Sequence, residues 1–168
     1  MSEFGDVERD QSDAILIIGV GNEYRRDDGV GIEVARRIAA LNLPQVRVME
    51  HSGEGASLLE CLAEADQVVL IDATQSGSTP GMLHFFDAAT SPIPGEFFSY
   101  STHAFSVAEA VELARTLRRL PNRLLIFGIE GSDFAYGLGL SAEAQKAANT
   151  VVERIAEHLE RPVSTRSS

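Results

Sequence analysis

Three stretches of this chain leave little choice of architecture. Ala14–Val20 (AILIIGV), Gln67–Ala73 (QVVLIDA) and Arg123–Glu130 (RLLIFGIE) are almost unbroken runs of apolar side chains. A strand wetted on one face alternates apolar with polar residues. A short continuous run fits a strand covered on both faces, as in a parallel sheet between helices. The segments between the runs supply those helices. Gly31–Asn42 spaces Ile32, Ala35, Ile38, Ala39 and Leu41 along one helical face, and Gly55–Ala65 gives a shorter helix. Ser106–Leu120 is strongly periodic and closed by Pro121; Ser141–Glu160 is a long final helix with Ser141 as its N-cap. Gln45–His51 alternates and reads as a further strand.

The turn cluster Ser76–Gly81 introduces Met82–Phe86 (MLHFF), expected as an antiparallel edge strand paired in a hairpin with the run before it. Prolines exclude SPIPGEFF, residues 91–98, from an inner strand. The order βαβαβ(β)αβα then predicts a three-layer α/β/α fold around a mostly parallel five-stranded sheet with one antiparallel strand. Residues 14–160 are expected to form one domain, with 1–13 and 161–168 as flexible ends.

Charge narrows the function. With 14 Lys and Arg against 25 Asp and Glu, the net charge is −11, which disfavours a phosphate backbone as partner. The one basic cluster, Arg115, Arg118, Arg119 and Arg123, is read as favourable charge near a helix C-terminus. Cys61 is the sole cysteine, so no intramolecular disulfide forms, and its apolar helical setting marks a buried structural thiol. No apolar run approaches the roughly 20 residues of a membrane-crossing helix, and the acidic N-terminus does not read as a signal peptide. The cytoplasm is the expected compartment.

The segment after the first strand, GVGNEYRRDDGVG, resembles a nucleotide-binding turn only superficially. Tyr24 stands where the dinucleotide fingerprint needs its third small residue, and no phosphate-loop motif with its lysine occurs. Asp27 and Asp28 would repel a phosphate at the helix N-terminus that follows. The glycines are therefore read as serving a tight strand-to-helix turn. A structural reading makes Asp27 a helix N-cap and Asp28 a first-turn acid. Against it stands a gathering of metal-ligating residue types. In an open parallel sheet, ligands bind beyond the carboxyl ends of the strands. Asp72 leaves the third apolar run at that edge, and His103 precedes a later helix. Asp28, Asp72 and His103 together form a three-ligand oxygen-and-nitrogen set with room for water or substrate, suited to a divalent metal.

In order and separation, GVGNEYRRDDGVGIEVARRI, VVLIDAT, STHAFSVAEAVELA and IFGIEGSDFAYGLGLSAEA resemble the nickel–iron hydrogenase maturation proteases, over roughly residues 14 to 160. The resemblance implies an endopeptidase that removes the C-terminal extension of the hydrogenase large-subunit precursor. Its metal-binding and catalytic positions fall on Asp28, Asp72 and His103. It further implies that nickel carried by the precursor is the recognition element, so that cleavage waits for metal loading. A metal could polarise the scissile carbonyl and activate water with a carboxylate as base; an aspartic-type pair is the alternative. In the family a proline often follows the GIE motif, whereas Gly131 follows Glu130 here.

Other residues receive plainer readings. Glu54 either lines a substrate cleft or is a solvated loop acid, and His51 is a surface or core histidine. Alternation turns His84 toward solvent, and His158 lies on a polar helix face. Phe97, Phe98 and Tyr100 are core residues or an apolar wall for an extended peptide. Ser76, Ser78 and Ser101 lack a nucleophile elbow. Two rival functions remain: a non-catalytic metal-binding or sensing module, and a metallohydrolase of small amides on the same sheet. A partner unchanged in mass on mixing would mark the first, and cleavage of small amides the second.

Overall fold

A computed structural model describes residues 14–94 and 107–160. The expected flexible ends, His103, Ser101 and the aromatic residues Phe97, Phe98 and Tyr100 lie outside the described residues.

Five strands form one sheet: β1 (Ile15–Val20), β2 (Val46–His51), β3 (Gln67–Thr74), β4 (Leu83–Asp87) and β5 (Arg123–Glu130). Their order is β2-β1-β3-β5-β4, with β2, β1, β3 and β5 parallel and β4 antiparallel at the edge. The helices are α1 (Val30–Ala40), α2 (Gly55–Leu62), α3 (Val107–Thr116) and α4 (Ala142–Glu160), with a single 3-10 turn at Arg26–Gly29 ahead of α1.

The apolar runs are continuous because both faces of the sheet are buried, but the faces sort residues by parity. Leu16, Ile18, Val68, Leu70, Leu124 and Ile126 pack on one side with α2 and α3. Ile17, Val69, Ile71, Phe127 and Ile129 pack on the other with α1 and α4. Cys61 is buried in the first cluster, as a structural thiol should be.

Two expectations need correction. The MLHFF strand is antiparallel and at the edge, but its partner is β5, with Phe85 opposite Phe127, and not the β3 run before it. The Ser76–Gly81 turn carries the chain past β3, and a pairing there would have displaced β5 from its parallel place. Helix α3 ends at Thr116, ahead of Pro121. Arg118 takes a left-handed φ of 54°, and the amide of Arg119 bonds back to the Ala114 carbonyl at 2.8 Å. This is the wrapped helix ending usually given to glycine, placed on arginine.

Candidate active site

The glycines of the opening motif bring an acid to the sheet edge. A Cβ on Gly19 would strike the Gly31 carbonyl and Ala35, and one on Gly31 would strike the carbonyls of Val20 and Ile71. Gly21 takes a φ of +145° with the Asp28 carbonyl against it. With no side chains in the way, α1 starts directly over the carboxyl ends of β1 and β3. The Arg26–Gly29 turn consequently touches β3.

Asp28 and Asp72 meet at this edge. Asp28 accepts a hydrogen bond from the Asn22 amide at 3.0 Å and is half-exposed. Asp72 follows Val68 and Leu70 on the α2/α3 face of β3. Among the described residues its carboxyl has one hydrogen bond, from the adjacent Ala73 amide at 2.8 Å. Burial and the negative charge of Asp28 raise the Asp72 carboxyl well above the ordinary carboxylate range, against the smaller opposing effect of that amide. Two of the three proposed ligands are thus brought together. Among the described residues no three His, Cys, Asp or Glu side chains gather around one point. The donor set suits a divalent cation: two carboxylates, one of them made costly to ionise by the other.

Asp27 does something different from the capping role expected of it. The N-cap of α1 is Gly29, with no side-chain cap. The Asp27 side chain instead crosses to the loop between β5 and α4 and is fully buried. It accepts from the Ser132 amide (2.9 Å) and hydroxyl (3.3 Å), the Asp133 amide (3.2 Å), and the Ser141 amide (2.7 Å) and hydroxyl (2.8 Å). Burial pushes its carboxyl up, but these donors outweigh it and leave the group below its ordinary value. Ser141 does cap α4 as expected, its hydroxyl accepting from the Ala144 amide at 3.2 Å.

A second saturated acid was missed in the sequence. Glu130 ends β5 at 2% exposure. It accepts from Thr74 Oγ1 (2.7 Å), the amide (2.8 Å) and hydroxyl (2.9 Å) of Ser76, and the Gly77 amide (3.0 Å). His84 Nε2 lies 3.3 Å away, so His84 turns inward to this carboxylate and not to solvent. Exposure falls to Phe85, which packs edge-on to Phe127. Burial acts upward on Glu130, and the hydroxyl, amide and imidazole donors more than offset it and lower its carboxyl. The available signal was an acid ending an apolar run, the same one that singled out Asp72.

The remaining candidates serve local structure. Glu54 caps α2, accepting from the Ala56 and Ser57 amides. His51 accepts from the Gly53 amide through Nδ1, which leaves Nε2 to donate to Ser57 Oγ at 2.9 Å; burial holds its imidazole below the usual range. It nevertheless borders a cleft of about 360 Å³, with Asn22, Tyr24 and Ile32 on the same wall system. Glu23 and Glu50 on that cleft both bind Arg36. His158 is exposed on α4. No helix among the described residues is long and apolar enough to cross a membrane.

Comparison with known proteins adds four findings. A family model described as hydrogenase maturation protease matches residues 32–158. A protein of Methanocaldococcus jannaschii assigned as a hydrogenase maturation protease is 31% identical over 150 residues, covering 84% of this chain and 93% of the relative. The hydrogenase expression/formation protein HupD of Rhodobacter capsulatus is 28% identical over 118 residues, 69% of this chain but 56% of HupD. The crystal structure of a nickel–iron hydrogenase maturation protease from Thermococcus kodakarensis has the same fold, with a TM-score of 0.68 at 23% identity, covering 89% of this chain and 94% of that one.

Proposed function

Since this chain belongs to the hydrogenase maturation proteases, a family of peptidases, we propose that it removes the C-terminal extension from a nickel-loaded hydrogenase large-subunit precursor. The observation that carries the reading is the approach of Asp28, in the turn ahead of α1, to Asp72, near the carboxyl end of β3.

Asp28, Asp72 and His103 are the proposed catalytic and metal-facing residues. The pair is asymmetric in a useful way. Asp28, held by the Asn22 amide and open to solvent on one side, is placed to take a proton from an attacking water. Asp72, whose carboxyl is pushed upward by burial and by the charge of Asp28, is placed to pass a proton to the departing amine. This is aspartic-type chemistry on unlike neighbours. The nickel carried by the precursor acts as part of the substrate: a divalent charge near the ionised Asp28 favours a loaded precursor over an empty one. His103 would complete the ligand set, and a divalent metal held there would supply Lewis-acid polarisation of the scissile carbonyl. The cytoplasm is the proposed compartment, supported by a single buried thiol that needs no oxidising environment.

The test is direct. The protein is incubated with nickel-loaded and nickel-free large-subunit precursor, and the products are weighed by mass spectrometry. Loss of a C-terminal peptide from the loaded form alone is expected. An intact loaded precursor overturns the proposal.

A further inference from the structure

The mechanism does not use the loop between β5 and α4, yet the chain anchors that loop with unusual thoroughness. Beyond the five donors on buried Asp27, the Asp27 amide bonds to the Asp133 carbonyl at 3.0 Å. The Arg26 amide bonds to the Gly137 carbonyl (3.0 Å) and the Gly137 amide to the Tyr24 carbonyl (2.8 Å), a short parallel bridge. Arg26 adopts a left-handed φ of 46° to make it, a conformation that non-glycine residues avoid. Arg25 donates to the Phe134 carbonyl at 3.3 Å and places its guanidinium 5.2 Å from the centre of the Tyr136 ring.

What this framework displays is apolar and in water. Tyr136 is 83% exposed, Leu138 68% and Tyr24 64%. All three lie outside both hydrophobic clusters. We propose that Tyr24, Arg25, Tyr136 and Leu138 form the docking surface for the folded body of the large-subunit precursor, as distinct from the tail that is cut. The inference rests on the function proposed above and identifies where that substrate is held.

Three features select this occupant. The bridge from Gly137 to Arg25 and Arg26 ties the patch to the turn that carries Asp28, so a protein seated on it lies beside the carboxylate pair. The patch offers a cation from a chain of net charge −11, matching carbonyl or carboxylate acceptors around an apolar centre on the partner. The Arg25 guanidinium stacked on Tyr136 fixes both side chains beforehand, which lowers the ordering cost of binding a rigid surface. Tyrosine and arginine are also the side chains that carry most binding energy in such interfaces.

Steady-state cleavage of the nickel-loaded precursor is compared for wild type, Tyr136→Ala with Leu138→Ser, and Leu117→Ser as an exposed control far from the patch. The double variant should raise KM by about tenfold or more, the loss expected for one or two interface anchors, with kcat within about twofold. The control should match wild type, and all three should melt alike because the altered side chains are exposed. A wild-type KM in the double variant overturns the docking surface while leaving the proposed activity standing. A wild type that leaves the precursor intact overturns the activity, and the docking surface with it. A dimer in sedimentation that the double variant abolishes, with KM unchanged, assigns the patch to a second copy and likewise overturns the inference.

Discussion

Asp27 and Asp28 are adjacent in the chain and opposite in circumstance. Asp27 is buried under five hydrogen-bond donors that hold it ionised. Asp28 is half-exposed beside Asp72, whose carboxyl its charge drives upward. The same contrast recurs between Glu130, saturated at the end of β5, and Asp72, sparsely bonded near the end of β3. One pair of acids is satisfied by donors within the fold; in the other pair, burial and the charge of Asp28 raise the cost of ionising Asp72. Sites that depart from the stable arrangement are where function concentrates, because satisfying them within the fold would remove their reactivity.

The sharpest way to break this contrast is by activity. Asp28→Ala, Asp72→Ala and His103→Ala should each lower precursor cleavage at least about a hundredfold, the scale of lost acid–base catalysis, while far-ultraviolet circular dichroism stays native. A gel shift at wild-type rate in all three would abolish the distinction. Asp27→Ala should do the reverse to the fold. Stripping a buried acceptor from five donors is expected to lose about 3 kcal/mol or more, or roughly 6–12 °C in melting temperature for a chain of this size. A melting temperature unchanged from wild type would show that the donors find other partners.

Glu130→Gln should lose about 2 kcal/mol at neutral pH, because the amide replaces an acceptor oxygen with a donor facing other donors. The pH dependence follows from the lowered carboxyl. Its contribution is present above the unfolded value near roughly 4.3 and disappears as pH falls through the lower folded value. Urea midpoints of wild type and variant should therefore converge in acid. Asp72→Asn should show the opposite sign. A raised folded carboxyl binds its proton more tightly than the unfolded chain does, so wild type is disfavoured at neutral pH and relieved below roughly 4. The variant should melt higher at pH 7 by roughly 2–4 °C per kcal/mol relieved, with the gap closing in acid. A variant that melts lower at pH 7 would place Asp72 among the satisfied acids.

Much of the frame was legible because burial writes itself into residue type. The runs at Ile15–Val20, Gln67–Thr74 and Arg123–Glu130 are strands for the reason read from them, and Ser141 caps the helix it precedes. The pairing of β4 was not legible: Leu83–Asp87 has no residue that distinguishes β3 from β5 as neighbour, and the choice was made by which edge remained open. The acids divide in the same way. An aspartate leaving an apolar run flagged Asp72, but the same signal at Glu130 marks a carboxylate closed by Thr74, Ser76, Gly77 and His84, residues 46 to 56 positions away.

The sequence by itself determined the layers, the parallel sheet and the glycine-lined turn that lets α1 stand over it, since each follows from local periodicity and side-chain size. Tertiary structure alone decided which carboxylates are satisfied. A carboxylate's state is set by the donors and charges within a few ångströms of it, and in this chain many of those arrive from the far side of the fold. Asp27 and Asp28 are the same residue type in neighbouring positions; contacts 105 to 114 residues distant made one a clamp, and the approach of β3 gave the other its partner.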